Sequence, residues 1–311
     1  MNQEKGKDTL EDYLIEKVKK SGYPLEIEIS DSLENERFVV FNTQYYFDEE
    51  AKQGRDIDIY ALPLEPDSYD DKLLPFILRT DLAIECKKSE THAWVFYTRP
   101  RIPMSSIYME GQYRTTIPKL GEFLAESFEW FLQQECLVLH YDKFERIAIA
   151  YEEIKKKKMD KETGKEIKNG SARKEIFEAI NQLVKFTCYE IHKTYARVME
   201  LSKTSDREYI LIFFPIIIFD GDLFEVFLVS GEPTLRRKTH ILLNTHYRCP
   251  YCGEVESFTI DIVHRSYFTE FLQTMKMHFY KTRETMSKNR DKLLKKAKED
   301  RMRFEKESAD K

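Results

Sequence analysis

Residues 209–219 read YILIFFPIIIF, an almost unbroken apolar run. A strand of that composition has no polar side to turn to water. It predicts a central position in a sheet covered on both faces, as in α/β folds. Pro215 interrupts the run and has no N–H for a ladder bond, which predicts a bulge or a sheet edge there. The run is too short to cross a bilayer, which takes about 20 apolar residues, so no membrane role is expected. A chain of 311 residues that is 41% hydrophobic can bury a large core around such a strand.

The remaining pattern alternates between helical and extended periods. Leu10, Tyr13, Leu14 and Val18 predict a helix over 9–21, ended by Ser21-Gly22. Strands are predicted at 25–29, 37–47, 56–62, 82–88 and 93–98, with Gln53-Gly54 in a turn. Residues 99–118 hold three prolines and read as irregular; 120–135 has helical spacing, and 145–151 is a short strand. A charged linker at 155–171 precedes a long amphipathic helix at 173–201, marked by Ile176, Ile180, Leu183, Val184, Ile191 and Val198. Strands at 223–229, 241–247 and 258–263 follow, then a helix from Phe268 that becomes highly charged past Thr282. The expected architecture is a mixed central sheet flanked by helices. The chain divides into 1–98, an insertion at 99–172, a second helix with later strands at 173–265, and a helical tail at 266–311.

Charge and cysteine usage narrow the class of protein. Five scattered cysteines do not form a secreted disulfide framework, and the polar start MNQEKGKDTL lacks the apolar core of a signal peptide, so a cytoplasmic protein is expected. The net charge of −5 is not that of a dedicated nucleic-acid binder, although 281–311 carries 12 basic and 7 acidic residues. That tail is the candidate surface for self-association or a protein partner. No glycine loop for phosphates and no Ser-His-Asp or Cys-His arrangement is present, which argues against an NTPase or a nucleotide-dependent oxidoreductase.

The chemistry concentrates in Gly54-Arg55-Asp56-Ile57-Asp58-Ile59-Tyr60 and Leu82-Ala83-Ile84-Glu85-Cys86-Lys87-Lys88. Alternation puts Asp56 with Asp58 on one face of the first strand, and Glu85 with Lys87 on one face of the second. If the strands pair, carboxylates and an ammonium share a sheet face. Inward carboxylates need a cation. A divalent ion such as Mg²⁺ or Mn²⁺ on Asp58 and Glu85 meets that need and suits phosphate chemistry. The simpler reading is a solvated edge in which Lys87 pairs with its carboxylate neighbours.

Asp58 and the Glu85-Cys86-Lys87 tripeptide, each in its apolar strand, resemble the PD-(D/E)XK, or restriction-endonuclease-like, nuclease superfamily. The order helix, three strands, helix, strand is similar too. The resemblance implies a metal-dependent endonuclease in which Asp58 and Glu85 bind Mg²⁺ or Mn²⁺ and Lys87 orients the attacking water. Asp56 supports the site. A carboxylate from the first helix is implied, Glu11 or Glu16 with Glu16 preferred, and a glutamine from the second core helix, with Gln182 the candidate. Nucleic acid is the implied partner, DNA ahead of RNA. The long segment between Asp58 and Glu85 and the large insertion before 173 depart from the family pattern. A noncatalytic binding module on the same fold is the alternative, since fold does not fix function.

Cys249-Pro250-Tyr251-Cys252-Gly253 forms a knuckle whose turn suits a structural zinc. His246 and His264 are the candidates to complete four ligands; a reduced pair in a tight turn is the alternative. His92, Arg236-Arg237-Lys238 and the lysines at 155–158 are weaker phosphate-contact candidates, set against exposed loops and solvated charge runs.

Overall fold

A capping box starts α1 (Leu10–Lys20) in the computed structural model of the chain: Thr9 Oγ1 accepts from the Asp12 N–H while the Asp12 carboxylate accepts from the Thr9 N–H. The structure describes residues 9–64, 76–101, 112–115, 141, 144–156, 175–202 and 208–289, with isolated residues beyond. A second helix, α2 (Tyr23–Asn35), follows with Pro24 in its first turn. This overturns the strand expected at 25–29. Period two and period four coincide at Leu25 and Ile29, so the short window fits both. Leu33 extends the buried stripe by another turn, whereas Ile27 between them is 61% exposed.

The strands are β1 (Phe38–Asp48), β2 (Gln53–Pro63), β3 (Phe76–Pro100), β4 (Tyr113–Thr115) and β5 (Arg146–Lys155). Helix α3 (Glu175–Ser202) leads to β6 (Glu208–Val229), β7 (Glu232–Arg237), β8 (His240–Arg248) and β9 (Val255–His264). A short 3-10 turn then enters α4 (Phe268–Lys288). Gln53 and Gly54 open β2, and the turn before them is held by Asp48 Oδ1, which accepts from the Glu50 and Ala51 N–H groups. The helix expected at 120–135, most of the stretch 99–118 and the linker beyond Lys156 lie outside the described residues.

All described strands belong to one mixed sheet. Its spine is the parallel pair β3–β6, in register from Phe76↔Glu208 to Tyr97↔Val226. Each is one long strand where the pattern predicted two. The register shifts where Ser89↔Gly221 gives way to Ala93↔Asp222, leaving Glu90, Thr91 and His92 of β3 without a partner on β6. A Cβ on Gly221 would lie 2.8 Å from the Ser89 carbonyl oxygen and 2.5 Å from the Phe219 ring, so the close approach of the two strands there needs a residue without a side chain.

The far edge of β6 pairs antiparallel with β4 at Ile210–Ile212, parallel with β9 at Ile216–Phe219, and antiparallel with β7 from Phe224. Pro215 falls between the first two of these partners, where its missing N–H leaves no ladder bond unmade on that side. Side chains alternate into two apolar clusters. Ile216 and Ile218 join Leu25, Ile29 and Leu33 of α2 and Phe271, Leu272 and Met275 of α4. Ile217 and Phe219 join Ile176, Ile180, Leu183 and Ile191 of α3. The run at 209–219 is therefore covered on both sides. The buried face of α4 continues through Met286, further than the charged pattern past Thr282 implied. Among the described residues no helix is long and apolar enough to cross a membrane.

Candidate functional site

Strands β2 and β3 pair only at Ile59↔Ile84, Tyr60↔Ala83 and Ala61↔Leu82. Beyond that they part, and from His92 the same edge of β3 takes β5 as its partner. Asp58 stands at the fork on one strand, with Glu85 and Lys87 on the other. The β1 residue opposite Asp58 is Thr43, between the pairs Asn42↔Ile59 and Gln44↔Ile57, and its φ of 55° interrupts the ladder there too. The Asp58 side chain turns across the fork: its Oδ2 accepts from the Cys86 N–H at 2.7 Å and lies 3.8 Å from Lys87 Nζ.

Lys87 Nζ donates to Glu85 Oε2 at 2.5 Å. Glu85 is fully buried, and its other oxygen, Oε1, has no hydrogen-bond partner among the described residues. Burial pushes the Glu85 carboxyl up to about 8; Lys87 opposes the rise and Asp58 adds to it. Burial disfavours the Lys87 ammonium, yet Glu85 and Asp58 outweigh it and raise its pKa. A third carboxylate belongs to the group. Glu26 of α2 titrates above its ordinary range through burial and the field of Asp58, with Lys87 opposing. Lys87 pairs with Asp58 and Glu85, and Glu26 feels the same charges from a greater distance.

Asp58, Glu85 and Lys87 come together as expected; the supporting residues do not. Glu16 is on the exposed surface of α1, and Glu26 on the next helix is the carboxylate that feels Asp58 and Lys87. Asp56 is exposed and takes part through its backbone: its carbonyl accepts from the Gln182 side-chain amide. Gln182 therefore ties α3 to β2 and holds that strand in place. His92 is buried within β3, not on an exposed loop, with its N–H donating to Ser89 Oγ. Arg236 and Arg237 lie over the Phe227 and Phe224 rings, and Lys156 pairs with Asp222 at 2.7 Å.

A second cluster forms where α3 meets the β8–β9 hairpin. Ligand atoms of His192, Cys249, Cys252 and Glu256 all lie within 4.8 Å of one another, a group that could hold a metal ion. Cys249 Sγ is 3.3 Å from His192 Nε2. The Cys188 thiol faces Glu256 Oε2 at 4.0 Å and also meets Cys249. The Cys249 thiol is held far below its usual range by Cys188, His192 and the N–H groups of Cys252 and Tyr251, against the effect of burial.

His246 and His264 are not in this group. His246 is exposed and neighbours Tyr247, which pairs with Glu256, so alternation turns it to the opposite face. His264 ends the far end of β9, where its Nδ1 accepts from the Ser266 N–H. His192 had a sequence signal of its own, the Cys188-x₃-His192 spacing that sets both side chains on one face of α3. Comparison of the chain with protein-family models, characterised proteins and solved structures finds no match.

Proposed function

We propose that the protein is a metal-dependent nuclease that hydrolyses phosphodiester bonds of nucleic acid, acting as an endonuclease with DNA ahead of RNA as substrate. The observation that carries this reading is the buried Glu85, whose Oε1 is unpartnered beside Asp58 and Lys87 at the opening between β2 and β3. Such an oxygen is costly without a ligand. Carboxylate oxygens from two strands fit Mg²⁺ or Mn²⁺, which favour oxygen donors and keep sites for water and phosphate.

When bound, such an ion supplies Lewis acidity to a phosphoryl oxygen and lowers the pKa of a coordinated water. The side chains do the rest. Asp58 and Glu85 fix the ion against the sheet. Lys87, held by both carboxylates, orients the attacking water and offers positive charge to the phosphate. The order of α1 and α2, antiparallel β1–β2–β3, α3 and then β6 parallel to β3 supports the PD-(D/E)XK resemblance.

The test is cleavage of single- and double-stranded DNA and RNA with Mg²⁺, Mn²⁺ or chelator. Wild type should cleave only with the divalent ion. Lys87→Ala should lose about 10²-fold or more, the scale of a positioned acid–base group, while still binding Mn²⁺ by calorimetry. Glu85→Ala should lose both. One observation favours the second reading, a noncatalytic binding module: Lys87 already neutralises Glu85 at 2.5 Å, an internal pair that can stand without a metal. Equal behaviour of wild type and Lys87→Ala across the substrates, with no Mn²⁺ bound by either, would establish that reading instead.

A further inference from the structure

We infer that His192, Cys249, Cys252 and Glu256 bind one zinc ion that fastens α3 to the β8–β9 hairpin, a structural centre separate from the fork at Asp58 and Glu85. Four potential ligand atoms from three segments of chain converge within 4.8 Å of one another, close enough to draw in to the roughly 3.3–3.8 Å ligand separations of a tetrahedral zinc shell. The donors select the ion. Two sulfurs and an imidazole disfavour Mg²⁺ and Ca²⁺, and four protein ligands leave no open position for catalysis.

The hairpin is built for the task. Cys249 N–H donates to the Glu254 carbonyl and Gly253 N–H to the Cys249 carbonyl, which closes the turn, and Gly253 takes the φ of 77° that the turn requires. The N–H groups of Tyr251 and Cys252 are then aimed at the Cys249 sulfur. Tyr251 stacks on the His192 ring at 5.3 Å between centroids and fixes its orientation. Cys188, one turn before His192 on α3, contacts Glu256 Oε2 at 4.0 Å and serves as a positioning residue for that carboxylate. Cys249 and Cys252 bind as thiolates, so any thiol proton still held passes to solvent when zinc enters.

The centre matters because α3 also holds β1 and β2. Its Lys185 pairs with Asp48 at 3.0 Å and its Gln182 bonds the Asp56 carbonyl. Zinc at the next turns of the same helix fixes the platform on which Asp58 is carried.

Protein purified without chelator should carry one zinc per chain by elemental analysis. Cobalt exchanged into wild-type protein should show the thiolate charge-transfer and visible bands of a tetrahedral site. His192→Ala, Cys252→Ser and Glu256→Gln should each lower zinc content at least tenfold, whereas His246→Ala and Lys87→Ala should keep it. Folded wild type that binds neither zinc nor cobalt, or a Cys249–Cys252 disulfide found by mass under native conditions, would overturn the proposal. So would zinc that survives Glu256→Gln and is lost in Cys188→Ala. The cobalt spectrum is read on wild type, so a variant that fails to fold does not blunt the test. Lys87→Ala keeps the outcome distinct from that of the nuclease reading.

Discussion

Glu85 shows how much a single position depends on its surroundings. A glutamate in water titrates near ~4.3, whereas burial moves the folded residue to about 8. In chelated protein between those values the folded state holds a proton that the unfolded chain has released. The stabilisation is therefore complete below the unfolded pKa and is lost as pH rises through the folded one. Urea denaturation should show metal-free wild type weakening by on the order of 1–3 kcal/mol from about pH 5 to pH 9. Glu85→Gln, which carries no titrating proton, should lack that slope. A slope that persists in Glu85→Gln would assign the titration to another group. Added Mn²⁺ should displace the proton and oppose the loss at high pH.

The meeting of Asp58, Glu85 and Lys87 was legible because strand alternation is a local rule. Glu26, His192 and Glu256 were not, because their roles depend on which helix face packs against which strand. No period in the sequence says that α2 and not α1 brings its carboxylate to the fork.

Among the elements, β3 and β6 each read as two strands for a physical reason. Ser89-Glu90-Thr91 and Asp220-Gly221-Asp222 carry the small and polar residues of turns. In the fold Ser89 pairs with Gly221, and the ladder resumes at Ala93↔Asp222 after a register shift in which β3 carries the extra residues Glu90, Thr91 and His92. The apolar run at 209–219 and the stripe of α3 were legible because burial on two faces and a 3.6-residue period leave strong patterns. Helix α2 reads as a strand because Leu25-Glu26-Ile27-Glu28-Ile29 alternates. The register shift at Gly221 gives a test of its own. In Gly221→Ala the new methyl meets the Ser89 carbonyl oxygen at 2.8 Å, a backbone atom that cannot rotate away as the Phe219 ring can. The substitution should cost about 1–3 kcal/mol, the range for overpacking, seen as a lower urea midpoint with an unchanged slope. An unaltered midpoint would mean that the two strands separate at Gly221 at little cost.

At the scale of the whole molecule the strand pairings close on themselves. β3 pairs with β5, β5 with β8, β8 with β9, β9 with β6, and β6 returns to β3. The links are unequal. β3 and β6 share a ladder along most of their length, and β8 and β9 pair from His240↔Val263 to Arg248↔Val255. β5 and β8 meet at the single pair Ala148↔Leu243. Beside that seam a cleft of about 380 Å³ separates the strands, lined by Arg146 and Glu225 and by Lys238, His240 and Phe271. A circuit opens first where the fewest hydrogen bonds must break, because the free energy of local opening rises with the bonds broken and the apolar surface exposed. Amide hydrogen exchange should therefore find the slowest protons in β3 and β6 around Ile84 and Ile216, which sit between the two apolar clusters. The β5 and β8 amides that flank Ala148 and Leu243 should exchange sooner, by sub-global opening at the seam. Equal protection at the seam and along the β3–β6 spine would show that the circuit opens only by global unfolding, with the packing of Ala148, Ile241 and Leu243 under α3 making up for the missing ladder bonds.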